Sequence, residues 1–199
     1  MPDGGTVGLG TGSTVAYLLP ALAARGLNVR CVATSLATEA AARALGLTLV
    51  SFTGPDAPAH LDVAIDGADQ VDASGWVVKG GGGAHTREKA VAAAAARFVV
   101  IVSSDKVVDR LSPPIPVELA QFGLAATLAR LEPICVRAAP PSPDGGVIAD
   151  FLGEFDDPAC LSAHLSSATG VIEHGLFDAA LVSDVLVGRG DEVEHRVIG

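Results

Sequence analysis

The first half of the chain alternates short β-branched runs with Ala- and Leu-rich segments. TVGLG predicts a strand entering a glycine-rich turn, and STVAYLLPALAARG a helix closed by Gly26. VRCVATS follows as a strand, ATEAAARALG as a helix closed by Gly46, and LTLV as a strand. Beyond the Pro-containing loop GPDAPAH, LDVAID is a strand, and GWVVK another after the turn DASG. A run of glycines then leads into a helix, TREKAVAAAAAR, and a buried strand, FVVIV. Strands alternating with helices at this spacing predict βαβ units and a mostly parallel sheet.

The pattern changes at LSPPIP, residues 111–116, where closely spaced prolines mark a boundary. PVELAQF, the helix-like LAATLARLE, the strand PICVRAA, the turn PPSPDGG, the strand VIADFL, a helix around DDPACLSAHLSSATG and the strand VIEHGLF follow. That order, β-α-β-β-α-β, is the split pattern of ferredoxin-like α+β modules. The tail DVLVGRGDEVEHRVIG predicts one more strand pair, rejoining the first domain. The expected division is therefore 1–113 with 178–199 as the mostly parallel α/β domain, and 114–177 as the ferredoxin-like one.

Composition narrows the function. With 23 acidic against 13 basic residues the net charge is -10, which argues against nucleic acid, whose binding needs clustered Lys and Arg. No stretch approaches the length of a membrane span, and MPDGGTVGLG lacks the regions of a signal peptide. Cys31, Cys135 and Cys160 form no CxxC unit and read as buried free thiols, so a soluble, cytoplasmic protein is expected. The three lysines, Lys79, Lys89 and Lys106, all fall within a 28-residue stretch.

Four clusters could carry chemistry. Gly8-Leu9-Gly10-Thr11-Gly12-Ser13-Thr14 lies between a strand and a helix, where backbone N–H groups, the helix dipole and hydroxyls favour an anion. It is neither GxGxxG nor a P-loop, and a tight turn is its competing reading. Asp66-Gly67-Ala68-Asp69 follows the strand LDVAID, at the strand end where open α/β sheets hold ligands. Two carboxylates three residues apart can share a site and repel each other, which suits acid–base work; an Asp-rich surface turn is the alternative. Lys79 begins the run Gly80-Gly81-Gly82-Gly83, whose ordering cost points to close approach of a ligand. Glu88 falls in the first turn of the next helix, where a carboxylate is also stabilised by the dipole. The fourth is Lys106 alone, just past FVVIV, while Lys89 is expected to face solvent. His85 stands alone, and no cluster has metal-ligand spacing, so no metal is expected. An anion cradle, paired carboxylates, a Lys and a Glu suit proton transfer beside the carbonyl of a phosphorylated substrate.

GLGTGST, TSLATEAAARALG, DGADQVD, KGGGGAHTREK, PVEL and VIEHGLFDAALVSDVLVG, in this order, resemble the A-type ribose-5-phosphate isomerases. The resemblance runs over nearly the whole chain. It implies a Rossmann-like domain beside a smaller ferredoxin-like one, a homodimer or homotetramer, and cofactor-free interconversion of ribose 5-phosphate and ribulose 5-phosphate through an enediol(ate). Matched by motif, Glu88 is the proton-transferring base, and Asp66 and Asp69 hold the sugar hydroxyls and assist ring opening. Lys79 matches the lysine that stabilises the enediolate oxygen. Thr11, Gly12, Ser13 and Thr14 match the substrate loop; Gly67, Ala68, Gly80, Gly81, Gly82 and Lys106 complete the substrate contacts. Three departures stand out: the chain begins almost at the glycine loop, where the family has a preceding helix with a lysine; Ser103-Ser104-Asp105-Lys106 replaces Asp-x-Ser-Lys; and Gln70 replaces a common Glu. The competing expectations are a non-catalytic sugar-phosphate sensor domain and a weakly active product lacking that helix.

Overall fold

The computed structural model describes residues 3–199; Met1 and Pro2, with which the expected first domain begins, lie outside the described residues. In chain order the elements are β1 Thr6–Leu9, α1 Ser13–Ala24, β2 Arg30–Ala33, α2 Leu36–Ala44 and β3 Thr48–Leu49. Then come β4 Val63–Asp66, β5 Gln70–Val71, β6 Val77–Val78, α3 His85–Ala94 and β7 Phe98–Ser103. After these, β8 Ile115–Leu119, α4 Leu124–Arg130, β9 Ile134–Val136, β10 Val147–Phe151 and α5 Pro158–Ser167 form the split pattern with β11 Val171–His174. The chain closes with β12 Leu176–Phe177, β13 Asp184–Arg189 and β14 Glu192–Val197. Local chemistry accounts for the helix ends. Ser35 caps α2 by accepting from the Thr38 amide at 3.1 Å, and Asp157 caps α5 by accepting from Ala159 at 2.9 Å, with Pro158 in the first turn. α1 and α2 stop ahead of Gly26 and Gly46, both at positive φ.

Two compact units divide the described residues. The first takes the chain up to Gly67, Arg87–Ser104 and Ala180–Gly199. Among the described residues its sheet has seven strands in the order β14-β13-β7-β4-β1-β2-β3. All neighbours are parallel except the closing pair β13–β14. The strand order reverses at β1, which lies between β2 and β4, so the carboxyl ends of β1 and β4 form a topological switch point of the kind where α/β folds bind ligands. Val7, Leu9, Val15, Leu19, Leu22 and Cys31 pack a core under it.

The second unit takes Ala68–Thr86 and Asp105–Ala179. Its four-stranded sheet, β11-β8-β10-β9, is antiparallel throughout and carries α4 and α5, as the β-α-β-β-α-β order predicts. Ile115, Val117, Leu119, Ala149 and Leu165 lie at its core. A three-stranded antiparallel sheet, β12-β6-β5, was not foreseen: β6 falls within the strand read from GWVVK and β12 at the end of VIEHGLF, but the two-residue β5 and the pairing of the three carry no periodic signal. That sheet groups residues 68–86 with the second unit, whereas the sequence pattern assigned them to the domain of 1–113 and 178–199.

The cysteine expectation needs correction. Cys31 is buried on β2, and burial pushes its thiol up to about 11, but Cys135 and Cys160 are exposed. Cys135 sits on the edge strand β9, and Cys160 donates to Asp157 at 3.1 Å at the start of α5. No helix among the described residues is long and apolar enough to cross a membrane.

Candidate active site

In the first unit the glycine loop leaves the end of β1 and turns into α1. Its shape is set by Asp66, the last residue of β4, which is 3% exposed. One Asp66 carboxylate oxygen accepts from the Thr11 amide at 3.1 Å and from the Gly67 amide at 2.7 Å. Gly10 donates to the Ile65 carbonyl at 3.0 Å, and any Cβ at position 10 would run into the Asp66 carboxyl. A glycine is therefore needed at position 10 for close approach. From the other side a hydroxyl relay holds the loop. Thr38 donates to the Gly10 carbonyl at 2.9 Å, and Thr11 Oγ1 lies 2.8 Å from Thr34 Oγ1, which donates to Leu9 at 3.3 Å. Thr11 is thus turned into the fold. Gly12 and Ser13 remain exposed, Thr14 is half-buried, and Gly67 lies alongside Thr14. Exposed N-terminal residues of a twelve-residue helix with no acidic group in its first turn are chemically suited to an anion. Glu88, in the first turn of α3, is 5% exposed.

The second unit holds the other glycine loop. The hairpin that pairs Gln70 with Val78 sets Asp69 opposite Lys79, and the Asp69 amide donates to Val78 at 2.8 Å. Lys79 is 3% exposed; its amide donates to Gly175 at 2.8 Å, and its ammonium stands 5.7 Å from the Phe177 ring centroid. Gly80 has φ of 103°, and a Cβ there would lie 2.6 Å from His85 Nδ1, which explains why the loop starts on a glycine. His85 is wholly buried beneath it. Asp69 is exposed, and its carboxylate accepts from the Gly81 amide at 2.8 Å. The Gly83 amide closes the turn on the Gly80 carbonyl at 3.0 Å. Lys106 ends a short 3-10 turn, partly exposed, 3.6 Å from Asp105. Lys89 is half-buried, not solvent-facing as expected.

Each carboxylate of DGAD also secures a different glycine loop: Asp66 the first, Asp69 the second. Three supporting residues carried no role in the sequence reading. Arg137, just after β9, donates to the Gly80 and Gly81 carbonyls at 3.0 and 2.9 Å, and forms a bidentate pair with Asp150 of β10. The Asp150 hydrogen bond raises the Arg137 guanidinium above its ordinary value, and the Asp69 charge adds to the effect. Glu118, within PVEL on β8, is 1% exposed and accepts from the hydroxyls of Thr86 and Ser142.

Elsewhere in the first unit a cavity of about 350 Å³ is lined by Arg30, Val50, Ser51, Thr53 and Asp56, none of them a candidate. Among the described residues no three His, Cys, Asp or Glu side chains are gathered as metal ligands.

Residues 30–192 match the family model of ribose 5-phosphate isomerase A (phosphoriboisomerase A). Ribose-5-phosphate isomerase A of Caulobacter vibrioides is 42% identical over 207 residues, covering 96% of this chain and 89% of that protein. The crystal structure of ribose 5-phosphate isomerase A from Neisseria gonorrhoeae superposes with a TM-score of 0.93 at 30% identity, covering 100% of this chain and 91% of that one. A D-ribose-5-phosphate isomerase solved in complex with phospho-erythronic acid gives 0.90 at 31% identity, over 99% and 92% of the two chains. With that coverage and that fold, the chain belongs to the ribose 5-phosphate isomerase A family.

Proposed function

We propose that this chain interconverts D-ribose 5-phosphate and D-ribulose 5-phosphate, with Glu88 as the base. Glu88 takes the proton from C2 of the open-chain aldose and returns it to C1, while the O2 proton passes to O1. The hydrogen shift is internal, so no external oxidant or reductant enters. Lys79 stabilises the negative charge on the enediolate oxygen, a role that gains strength where water is excluded. Asp66 and Asp69 hold sugar hydroxyls and assist ring opening. Gly12, Ser13 and Thr14 receive the phosphate, with Thr11 shaping their loop. Gly67, Ala68, Gly80, Gly81, Gly82 and Lys106 complete the substrate contacts.

One observation carries this reading: Asp66, Lys79 and Glu88 are buried to within 5% exposure. Burying charged groups is costly, and such groups concentrate where chemistry is done. A sensor domain without catalysis is not favoured, since the chain matches isomerases over nearly its full length. The assembly proposed is a homodimer or homotetramer, working in the cytoplasm without a cofactor.

A coupled assay with ribose 5-phosphate, compared with allose 6-phosphate and arabinose 5-phosphate, tests the activity. Glu88→Gln is expected to abolish turnover while ribose 5-phosphate binding survives. Unchanged turnover in that variant would remove Glu88 from the base role.

A further inference from the structure

We infer that Arg137 is a positioning residue of the isomerase site, holding the backbone that follows Lys79 in the geometry the reaction needs. The inference rests on the assignment of Lys79 and Gly80–Gly82 to the substrate site.

Four hydrogen bonds define the arrangement. Arg137 Nε and Nη2 engage the two Asp150 carboxylate oxygens, at 2.9 Å for the first, and this fixes the plane of the guanidinium. Nη1 then reaches both Gly80 O, at 3.0 Å, and Gly81 O, at 2.9 Å. On the opposite side of the same residue the Gly81 N–H is held by Asp69. Gly81 is thus gripped by its amide and by its carbonyl. A run of four glycines has no side chains with which to anchor itself, and each loses more conformational freedom on ordering than any other residue. The tip of the loop supplies little to the core: Gly81 and Gly82 are exposed, whereas Gly80 and Gly83 at its ends are buried. Its ordering therefore serves what the loop meets, and Arg137 does much of the ordering. Lysine cannot substitute. A single ammonium on a flexible stem offers neither the fixed plane nor the fork that serves Asp150 and two carbonyls together.

The test is steady-state isomerase kinetics on Arg137→Lys and Asp150→Asn, each with a thermal unfolding curve. Arg137→Lys is expected to lower kcat about 10- to 100-fold, as a misplaced catalytic backbone does. KM is expected to stay within about threefold, since the phosphate-receiving residues 12–14 are untouched. Asp150→Asn should act in the same direction but less strongly, and the double variant should be no worse than Arg137→Lys, as groups acting through one contact are not additive. Unfolding should stay cooperative. Adding ethylguanidinium to Arg137→Ala should restore part of kcat, which a packing role would not allow. If Arg137→Lys keeps the kcat and KM of the unsubstituted chain, the inference falls alone. It also falls alone if activity drops only in proportion to the folded fraction. If the unsubstituted chain itself shows no turnover, the functional reading falls and takes the inference with it.

Discussion

The two glycine-rich loops solve the same problem by opposite means. Residues 10–14 are held from beneath, by a buried carboxylate and a relay of threonine hydroxyls under the switch point of a parallel sheet. Residues 80–83 follow a two-residue strand, and they are held from the side by an exposed carboxylate and a partly exposed guanidinium. The first loop borrows its rigidity from the core, so changes there reach stability and activity together. The second borrows it from side chains that contribute little to the core, so activity can be lost while the fold remains. In both, the anchor on one side is a carboxylate of the same four-residue turn, Asp66 or Asp69.

The largest separation of the two should come from Gly10→Ala. The added Cβ runs into the Asp66 carboxyl, which is buried and already bonded to Thr11 and Gly67. A stability loss of about 1–3 kcal/mol is expected from overpacking, with a fall in isomerase activity of about 100-fold from displacement of Asp66. In the second loop Gly81→Ala places its Cβ 2.8 Å from Asp69 Oδ1, but that carboxylate is exposed and can swing away. Denaturant unfolding of both variants measures the contrast. Equal losses would mean that the second loop is as deeply anchored as the first.

Acid should also discriminate, because the sheet beneath the first loop has a titratable anchor. Asp184, at the start of β13, is paired with Arg97 at 2.6 Å and with His195 at 2.6 Å, and these partners hold its carboxyl at about 2. Arg97 is the larger cause. The folded value lies below the ordinary one of 3.8, so this stabilisation is present in full above about pH 4 and is lost as pH falls through 2. The size is about 2 kcal/mol. Unfolding free energy followed against pH should decline over that window, and Asp184→Asn should flatten the decline. Hydrogen exchange should report β7 and β13 loosening before β8 and β10. Trp76, the single tryptophan, belongs to the second unit and should change later. A Trp76 signal that leads the exchange of β13 would reverse the assignment.

A smaller effect is expected at Ser35, which caps α2 and also donates to Thr38, the residue that holds the Gly10 carbonyl. Ser35→Ala should cost about 1 kcal/mol through the lost cap, with a modest loss of activity passed through Thr38. Thermal unfolding and kcat together test it; a stability loss with kcat unchanged would confine Ser35 to the helix end.

What could be read in advance follows the same contrast. Elements with a long period were legible: the βαβ alternation gave the parallel sheet, and β-α-β-β-α-β gave the antiparallel module. β5 was not, nor was the separation of β12 from the strand VIEHGLF, because two residues carry no period. Chemistry-bearing types at strand ends, Asp66 and Lys79, and in the first turn of α3, Glu88, could be singled out from motif and position, and all three are buried. That Asp66 and Asp69 secure separate loops could not be read, since it depends on which amide lies above each carboxylate. Arg137 was hidden for a related reason: two of its partners are backbone carbonyls, which leave no mark in a sequence.

Gly82 gives the finest test, because packing does not explain it. Gly80 is required by positive φ and by His85, Gly81 sits against Asp69, and Gly83 has φ of 72°. At Gly82 a Cβ would meet nothing within 4 Å, and its φ is not in the left-handed region. The fold therefore tolerates alanine there, and Gly82→Ala should change stability by less than about 0.5 kcal/mol. If the position is glycine because substrate lies against its backbone, the added methyl should raise KM several-fold while kcat changes less. A variant with unaltered KM would remove Gly82 from the substrate contacts and leave the second loop's function to Lys79, Gly80 and Gly81. A large stability loss would instead tie the exposed end of the loop to the core, and the difference between the two loops would narrow.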